Sequence, residues 1–183
     1  DVSELVWLNV DRFHGIELEE FPAQIAQVAL WLTDHQMNLL VSEEFGLYFA
    51  RLPLKTAPHI LHDNALTMDW ATLIAPQQLS FIVGNPPFLG AKMLSEQQRQ
   101  DVDTVFHDTH NAGLLDYVSC WYRKAVDYCA ANPAIRCAFV STNSITQGEQ
   151  VGVLWGDLLA RGIYLHFAHR TFQWNSEARG KAA

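Results

Sequence analysis

One stretch of sequence limits the fold more than any other. Leu79–Gly84 is strand-length and apolar, and it stops at Asn85-Pro86-Pro87. A continuous apolar run of this kind predicts a strand buried on both faces, as in the parallel sheets of α/β proteins. The two prolines fix φ and withhold two backbone donors, so the chain must leave the sheet there in a stiff turn. Other short apolar runs alternate with helical stretches along the chain, which predicts an α/β domain on a mostly parallel sheet.

The remaining elements follow the same pattern. His14–Leu18 reads as a strand. Phe21–His35 reads as a helix, with Pro22 in its first turn and Ile25, Val28, Ala29 and Leu32 on one face. His59–His62 is the next strand, and Gly46–Ala57 is a loop or insertion. Ser95–Thr109 is a helix that opens on a capping box, Ser95 with Gln98. Leu114–Ala131 is a helix, Ile135–Ser141 a strand, and Ile145–Arg161 a helix closed by Gly162. Ile163–Ala168 reads as a fifth strand, and Phe172–Trp174 as the start of a hairpin partner.

With 183 residues, 49% hydrophobic and 17% charged, the chain is expected to fold around a core as one domain. Its charge is uneven. Residues 1–50 hold nine acids and one base, whereas residues 51–183 hold eleven of each. So acidic a domain is not expected to grip a polyanion alone. Cys120, Cys129 and Cys137 have neither metal-ligand nor disulfide spacing, which predicts buried thiols in a reducing cytoplasm. The apolar runs are too short to span a membrane. The chain opens on Asp1 and reads as a piece of a longer polypeptide.

The chemistry concentrates at Asn85-Pro86-Pro87-Phe88. Asn85 falls at the carboxyl end of a central strand, where open α/β sheets place their ligands. The prolines leave the carbonyls near Asn85 and Pro86 as acceptors, and Phe88 adds a flat apolar plate. Such a group suits a planar, conjugated amino group, gripped by two acceptors and stacked on its π-face. A tight turn with a buried Phe is the alternative, and for an isolated Asn-Pro-Pro it is the better one.

These residues resemble the catalytic motif of amino-methyltransferases that use S-adenosylmethionine. His14-Gly15-Ile16-Glu17-Leu18-Glu19 resembles their ribose-binding motif, and Asp63-Asn64-Ala65-Leu66 their adenine-binding one. The motif order is that of gamma-type N6-adenine DNA methyltransferases. Val28–Asn38 and Asn143–Gln150 look most like the MmeI-like branch, in which the methyltransferase is part of large restriction-modification or phage-defence proteins. The resemblance implies an incomplete Rossmann-like methyltransferase fold over residues 1–183, in a bacterial-type cytoplasmic protein. Glu17 would accept the cofactor's ribose hydroxyls, and Leu18 would lie against its adenine. Asn64 would meet the adenine edge, with Asp63 as the alternative if the register slips and Ala65 beside them. Asn85 and Pro86 would accept the N6 hydrogens of a flipped adenine in double-stranded DNA, with Pro87 stiffening the turn and Phe88 stacking on the base. Asn85 would border the cofactor as well. Neither a metal nor a covalent enzyme intermediate is required. Phe172 and Trp174 fall where the family often has a further aromatic for the base; core packing is the equal alternative.

The family's Gly-rich first motif is missing, since no Gly-x-Gly occurs in the chain. No target-recognition domain is present either, so DNA contacts would come from outside this sequence. Two expectations follow. S-adenosylmethionine should bind residues 1–183 weakly, and the strand carrying Ile16 should not pair with that carrying Val83. The exposed edge left by such a gap would invite self-association. Methylation of protein glutamine or of RNA bases, and a degenerate non-catalytic module, stay open as alternatives. His107-Asp108-Thr109-His110 reads as solvated rather than metal-binding. Cys120 reads as a buried thiol rather than a nucleophile, and Asp116 as a partner of the following helix dipole.

Overall fold

The computed structural model describes residues 8–46 and 56–172. It divides into two compact units, with the boundary between Leu79 and Ser80.

In the first unit, β1 (His14–Glu17) pairs in parallel with β2 (His59–His62), His14 opposite His59 and Glu17 opposite His62. The strands approach closely at Gly15, where an added Cβ would stand 2.8 Å from Ile60 Cδ1. Between them lies α1 (Glu20–Phe45), longer than the expected Phe21–His35. No Gly or Pro interrupts residues 36–45, and the helix stops only at Gly46, whose φ of 63° is the left-handed cap that glycine supplies cheaply. Ala23 and Asn38 are its buried side chains, whereas Ile25, Val28 and Leu32 on the expected apolar face are exposed. Val10 and Leu66 complete the small core.

In the second unit, β3 (Phe81–Gly84) pairs in parallel with β4 (Arg136–Phe139), Phe81 opposite Arg136 and Gly84 opposite Phe139. Among the described residues, therefore, the strands of Ile16 and Val83 lie in separate ladders, as the missing first motif predicts. The expectation that the β3 run is buried on both faces does not hold: Phe81 and Val83 are 68% and 78% exposed. A two-stranded ladder leaves one pleat face of β3 to solvent, and these alternate residues occupy it.

Three helices complete this unit. In α2 (Glu96–Val105) both halves of the capping box form: Gln98 N–H donates to Ser95 Oγ at 3.3 Å, and Ser95 N–H to Gln98 Oε1 at 2.9 Å. The helix ends at Val105, with Phe106 as its C-cap, rather than at Thr109. α3 (Ser119–Cys129) starts later than expected, because residues 112–114 form a separate 3₁₀ turn. α4 (Gln150–Ala160) also starts late. A 3₁₀ turn over Asn143–Thr146 precedes it, and Gly148, at φ 68°, turns the chain out of helical geometry. Gly162 closes this region at φ 84°, as its position predicted.

Ile163–Ala168 forms no strand; no described strand pairs with it, and Tyr164, Leu165 and Phe167 are exposed. Phe172 is likewise not in a strand, and Trp174, with most of the Gly46–Ala57 loop, lies outside the described residues. The most deeply buried core side chains include Phe106, Leu115, Val118, Cys120, Leu154 and Leu158. Beside it Arg123 is buried, ringed by Asp108, Asp127 and Asp157. No helix among the described residues is long and apolar enough to cross a membrane.

Candidate active site

The sequence motifs fall at the carboxyl ends of the two parallel ladders. In the first unit, the ladder extends one bond past Glu17, whose carbonyl accepts from Asp63 N–H at 2.9 Å. Glu17 and the Asp63–Ala65 turn therefore come together, although they are far apart in sequence. The Glu17 carboxylate is half-buried and accepts from Glu19 N–H at 3.3 Å; Leu18 beside it is exposed.

The turn is built by the side chains expected to contact the cofactor. Asp63 Oδ1 accepts from Asn64 N–H at 2.7 Å, and Asn64 Oδ1 accepts from Leu66 N–H at 2.9 Å. The Asn64 carbonyl accepts from the N–H groups of Thr67 and Met68, and Trp70 Nε1 donates to the Ala65 carbonyl at 2.8 Å. Asx geometry of this kind holds a tight turn without regular structure. Asn64 thus has a structural role at the position where the sequence predicted a binding one.

In the second unit, β3 runs directly into Asn85-Pro86-Pro87-Phe88. Upstream, the Gly84 carbonyl accepts from Val140 N–H at 3.0 Å, and downstream the Leu89 carbonyl accepts from Tyr117 N–H at 2.9 Å. Among the described residues no backbone N–H donates to the carbonyls of Asn85 or Pro86 between these ties. Pro86 is buried, while Asn85 and Pro87 are exposed. Phe88 is 44% exposed, so a large part of its ring remains open to stacking. The buried Phe of the simple-turn alternative is not what the structure contains.

Asp116 stands near the start of α3, as the sequence suggested, but its hydrogen bonds go elsewhere. It is buried and makes no capping bond to α3. Its carboxylate instead accepts from Ala91 N–H in the segment after Phe88, from the Ser144 hydroxyl and from Gln150 Nε2. These partners lie 25, 28 and 34 residues away, and no local pattern announces them.

The weaker signals resolve into structure. Asp108 is held by Arg123 and Arg161, and its hydrogen bond with Arg123 keeps its carboxyl well below the usual carboxylate range. Cys120 is fully buried; burial pushes its thiol up to about 12, which suits packing and not nucleophilic attack. Cys129 is half-buried and Cys137 exposed, so the expectation of three buried thiols holds for Cys120 alone.

The family model described as "MmeI, DNA-methyltransferase domain" matches residues 3–183. The chain belongs to the MmeI DNA-methyltransferase domain family. DNA methyltransferase A of Bacillus subtilis (strain 168) is 39% identical over 180 residues, covering 96% of this chain and 20% of that protein. The solved structure of the Type IIL restriction-modification enzyme MmeI in complex with DNA is 58% identical, with a TM-score of 0.93. That match covers 98% of this chain and 24% of MmeI, so the chain spans about a quarter or less of these relatives. At that similarity the α/β architecture, with its small parallel ladders, is that of the corresponding part of MmeI.

Proposed function

We propose that this domain forms part of the catalytic centre of a DNA methyltransferase that methylates the N6 amino group of adenine, within a restriction-modification protein. The observation that carries the reading is the form of the Asn85–Phe88 turn. It leaves the carboxyl end of a parallel strand with Asn85 exposed, Pro86 buried and its carbonyl unclaimed by described backbone donors, and an exposed aromatic ring. Membership in the MmeI methyltransferase-domain family supports it.

The chemistry follows from the residues. The adenine amino nitrogen is a poor nucleophile because its lone pair is delocalised into the ring. Asn85 Oδ1 and the Pro86 carbonyl would accept its two hydrogens, draw the nitrogen toward a tetrahedral geometry and aim the lone pair for in-line attack. Pro87 keeps these acceptors from relaxing. Phe88 would stack on the base once it leaves the duplex.

S-adenosylmethionine, when bound, supplies the methyl group on a sulfonium. The chain's acceptors suit its nucleoside half: the half-buried Glu17 carboxylate fits a ribose diol, and Asp63, Asn64, Ala65 and Leu18 are the candidates for the adenine. Glu17 and the 63–65 turn meet at one ladder end, which makes joint recognition of a nucleoside practicable. The methionine half would need residues that the Gly-x-Gly-free sequence does not offer in the family's usual form. Double-stranded DNA would be gripped by basic surface elsewhere in the whole protein.

Single-turnover methylation of adenine-containing duplex DNA by the whole protein tests the reading. Asn85→Ala should slow methyl transfer by about a hundredfold or more, equivalent to ~2.7–4 kcal/mol for one preorganised acceptor. Phe88→Ala should lose ~1–3 kcal/mol of stacking, while Phe88→Tyr and Phe88→Trp keep the π-face and most of the rate. Near-normal methylation by Asn85→Ala would reduce the motif to a turn.

A further inference from the structure

Beyond Phe88, the chain is fastened at two nearby points by consecutive residues. Tyr117 N–H donates to the Leu89 carbonyl at 2.9 Å, and Asp116 Oδ1 accepts from Ala91 N–H at 3.2 Å. Each anchor is itself held. The Tyr117 hydroxyl donates to Asp101 Oδ2 at 2.6 Å in a buried contact. Asp116 Oδ2 accepts from the Ser144 hydroxyl and from Gln150 Nε2 at 3.2 Å, and Asp116 N–H donates to Gln150 Oε1 at 3.2 Å. Ser144 Oγ is in turn 2.5 Å from Thr142 Oγ1.

Asp116 is only 8% exposed. A carboxylate so placed is costly unless donors replace its water. Here the donors come from three separate segments: the loop after β3, the 3₁₀ turn at Asn143–Thr146 and the first residue of α4. α3 receives no side-chain cap from it; the hydrogen bonds of the carboxylate go to the loop, the 3₁₀ turn and α4. Phe88 is partly exposed, so its ring depends on its backbone for orientation, and that backbone is set by the ties at Leu89 and Ala91.

We propose that Asp116 is a positioning residue of the Asn85–Phe88 site: by joining Ala91 to Ser144 and Gln150, it fixes the angle at which Phe88 meets a flipped base. The proposal rests on the methyltransferase reading. It places the effect of Asp116 on base capture and transfer rate, and not on cofactor affinity.

The test uses the whole protein and duplex DNA with 2-aminopurine at the target adenine to read flipping. Asp116→Ala should lower the flipping signal and slow single-turnover methylation of unmodified DNA by about tenfold or more, the scale of a lost charge-assisted bond. S-adenosylmethionine affinity should stay within about twofold, because Glu17 and the Asp63–Ala65 turn, the candidates for its nucleoside half, lie in the other unit. Asp116→Asn should recover part of the loss, since its carbonyl can still accept from Ala91 while Ser144 turns its hydroxyl to accept. Arg161→Ala, which loosens an ion-pair network elsewhere in the same unit, should lower thermal stability without changing the flipping signal at 25 °C. Should the alanine variant not fold, the isosteric Asn variant decides, with an expected loss of about threefold. Wild-type flipping and rate in the folded Asp116 variants, with Asn85→Ala inactive, would overturn the positioning role alone. Normal methylation by Asn85→Ala would overturn the methyltransferase reading and this proposal with it.

Discussion

Arg123→Met is the sharpest test of what holds the second unit together. Arg123 makes five hydrogen bonds: Nε to Asp127 at 2.9 Å, one terminal nitrogen to Thr109 at 3.3 Å and Asp157 at 3.1 Å, and the other to both Asp108 oxygens at 3.0 Å. It also lies 5.7 Å from the centre of the Phe106 ring. Methionine keeps much of the stem and removes every Arg123 donor, leaving the three carboxylates to Arg161 alone. Breaking a buried pair costs about 3–5 kcal/mol, and the half-exposed Asp108 and Asp127 put this case near 3 kcal/mol. Arg161 binds the same three acids, but its side chain is 31% exposed against 3% for Arg123. Arg161→Ala should therefore cost only about 0.5–1 kcal/mol. Hydrogen exchange of the α3 amides in the intact protein measures the difference locally: roughly a hundredfold faster exchange for Arg123→Met, and about fivefold or less for Arg161→Ala. Equal, small effects of the two substitutions would refute the argument that burial decides the strength of this network.

Three further outcomes can be checked separately. Arg123 depresses the folded-state pKa of Asp108, so the unfolded chain takes up that proton at higher pH; the stabilisation is complete at neutral pH and is lost as pH falls below about 4. In melting curves between pH 3 and 6, Asp108→Asn should flatten that loss. Gly15→Ala places a Cβ 2.8 Å from Ile60 Cδ1 and should cost about 1 kcal/mol in thermal denaturation, with Ile60→Val restoring most of it by removing that methyl; failure of the rescue would locate the strain elsewhere. Glu17→Ala in the whole protein should weaken S-adenosylmethionine binding by about tenfold in calorimetry, the worth of one or two hydrogen bonds to a carboxylate; unchanged affinity would remove Glu17 from the cofactor site.

What the sequence determined by itself was local. Pro86 and Pro87 dictate a stiff exit from β3 wherever that strand packs, because ring closure fixes φ without help from neighbours. Ser95 and Gln98 satisfy each other's backbone donors within one helical turn, so their box was legible. Gly162 marked its bend for the same reason. Tertiary structure decided whatever needed a distant partner. An apolar run becomes a strand only where a second strand accepts its hydrogen bonds. Phe81–Gly84 has one in Arg136–Phe139, while Ile163–Ala168 has none among the described residues. The apolar run at β3 could not reveal that Phe81 and Val83 stay exposed, since burial depends on what lies over the pleat. Asp116 resembled a helix-dipole partner because α3 lies just downstream. Only folding brought Ala91, Ser144 and Gln150 around it, and a buried carboxylate takes its role from the donors that surround it, however far away in sequence they begin.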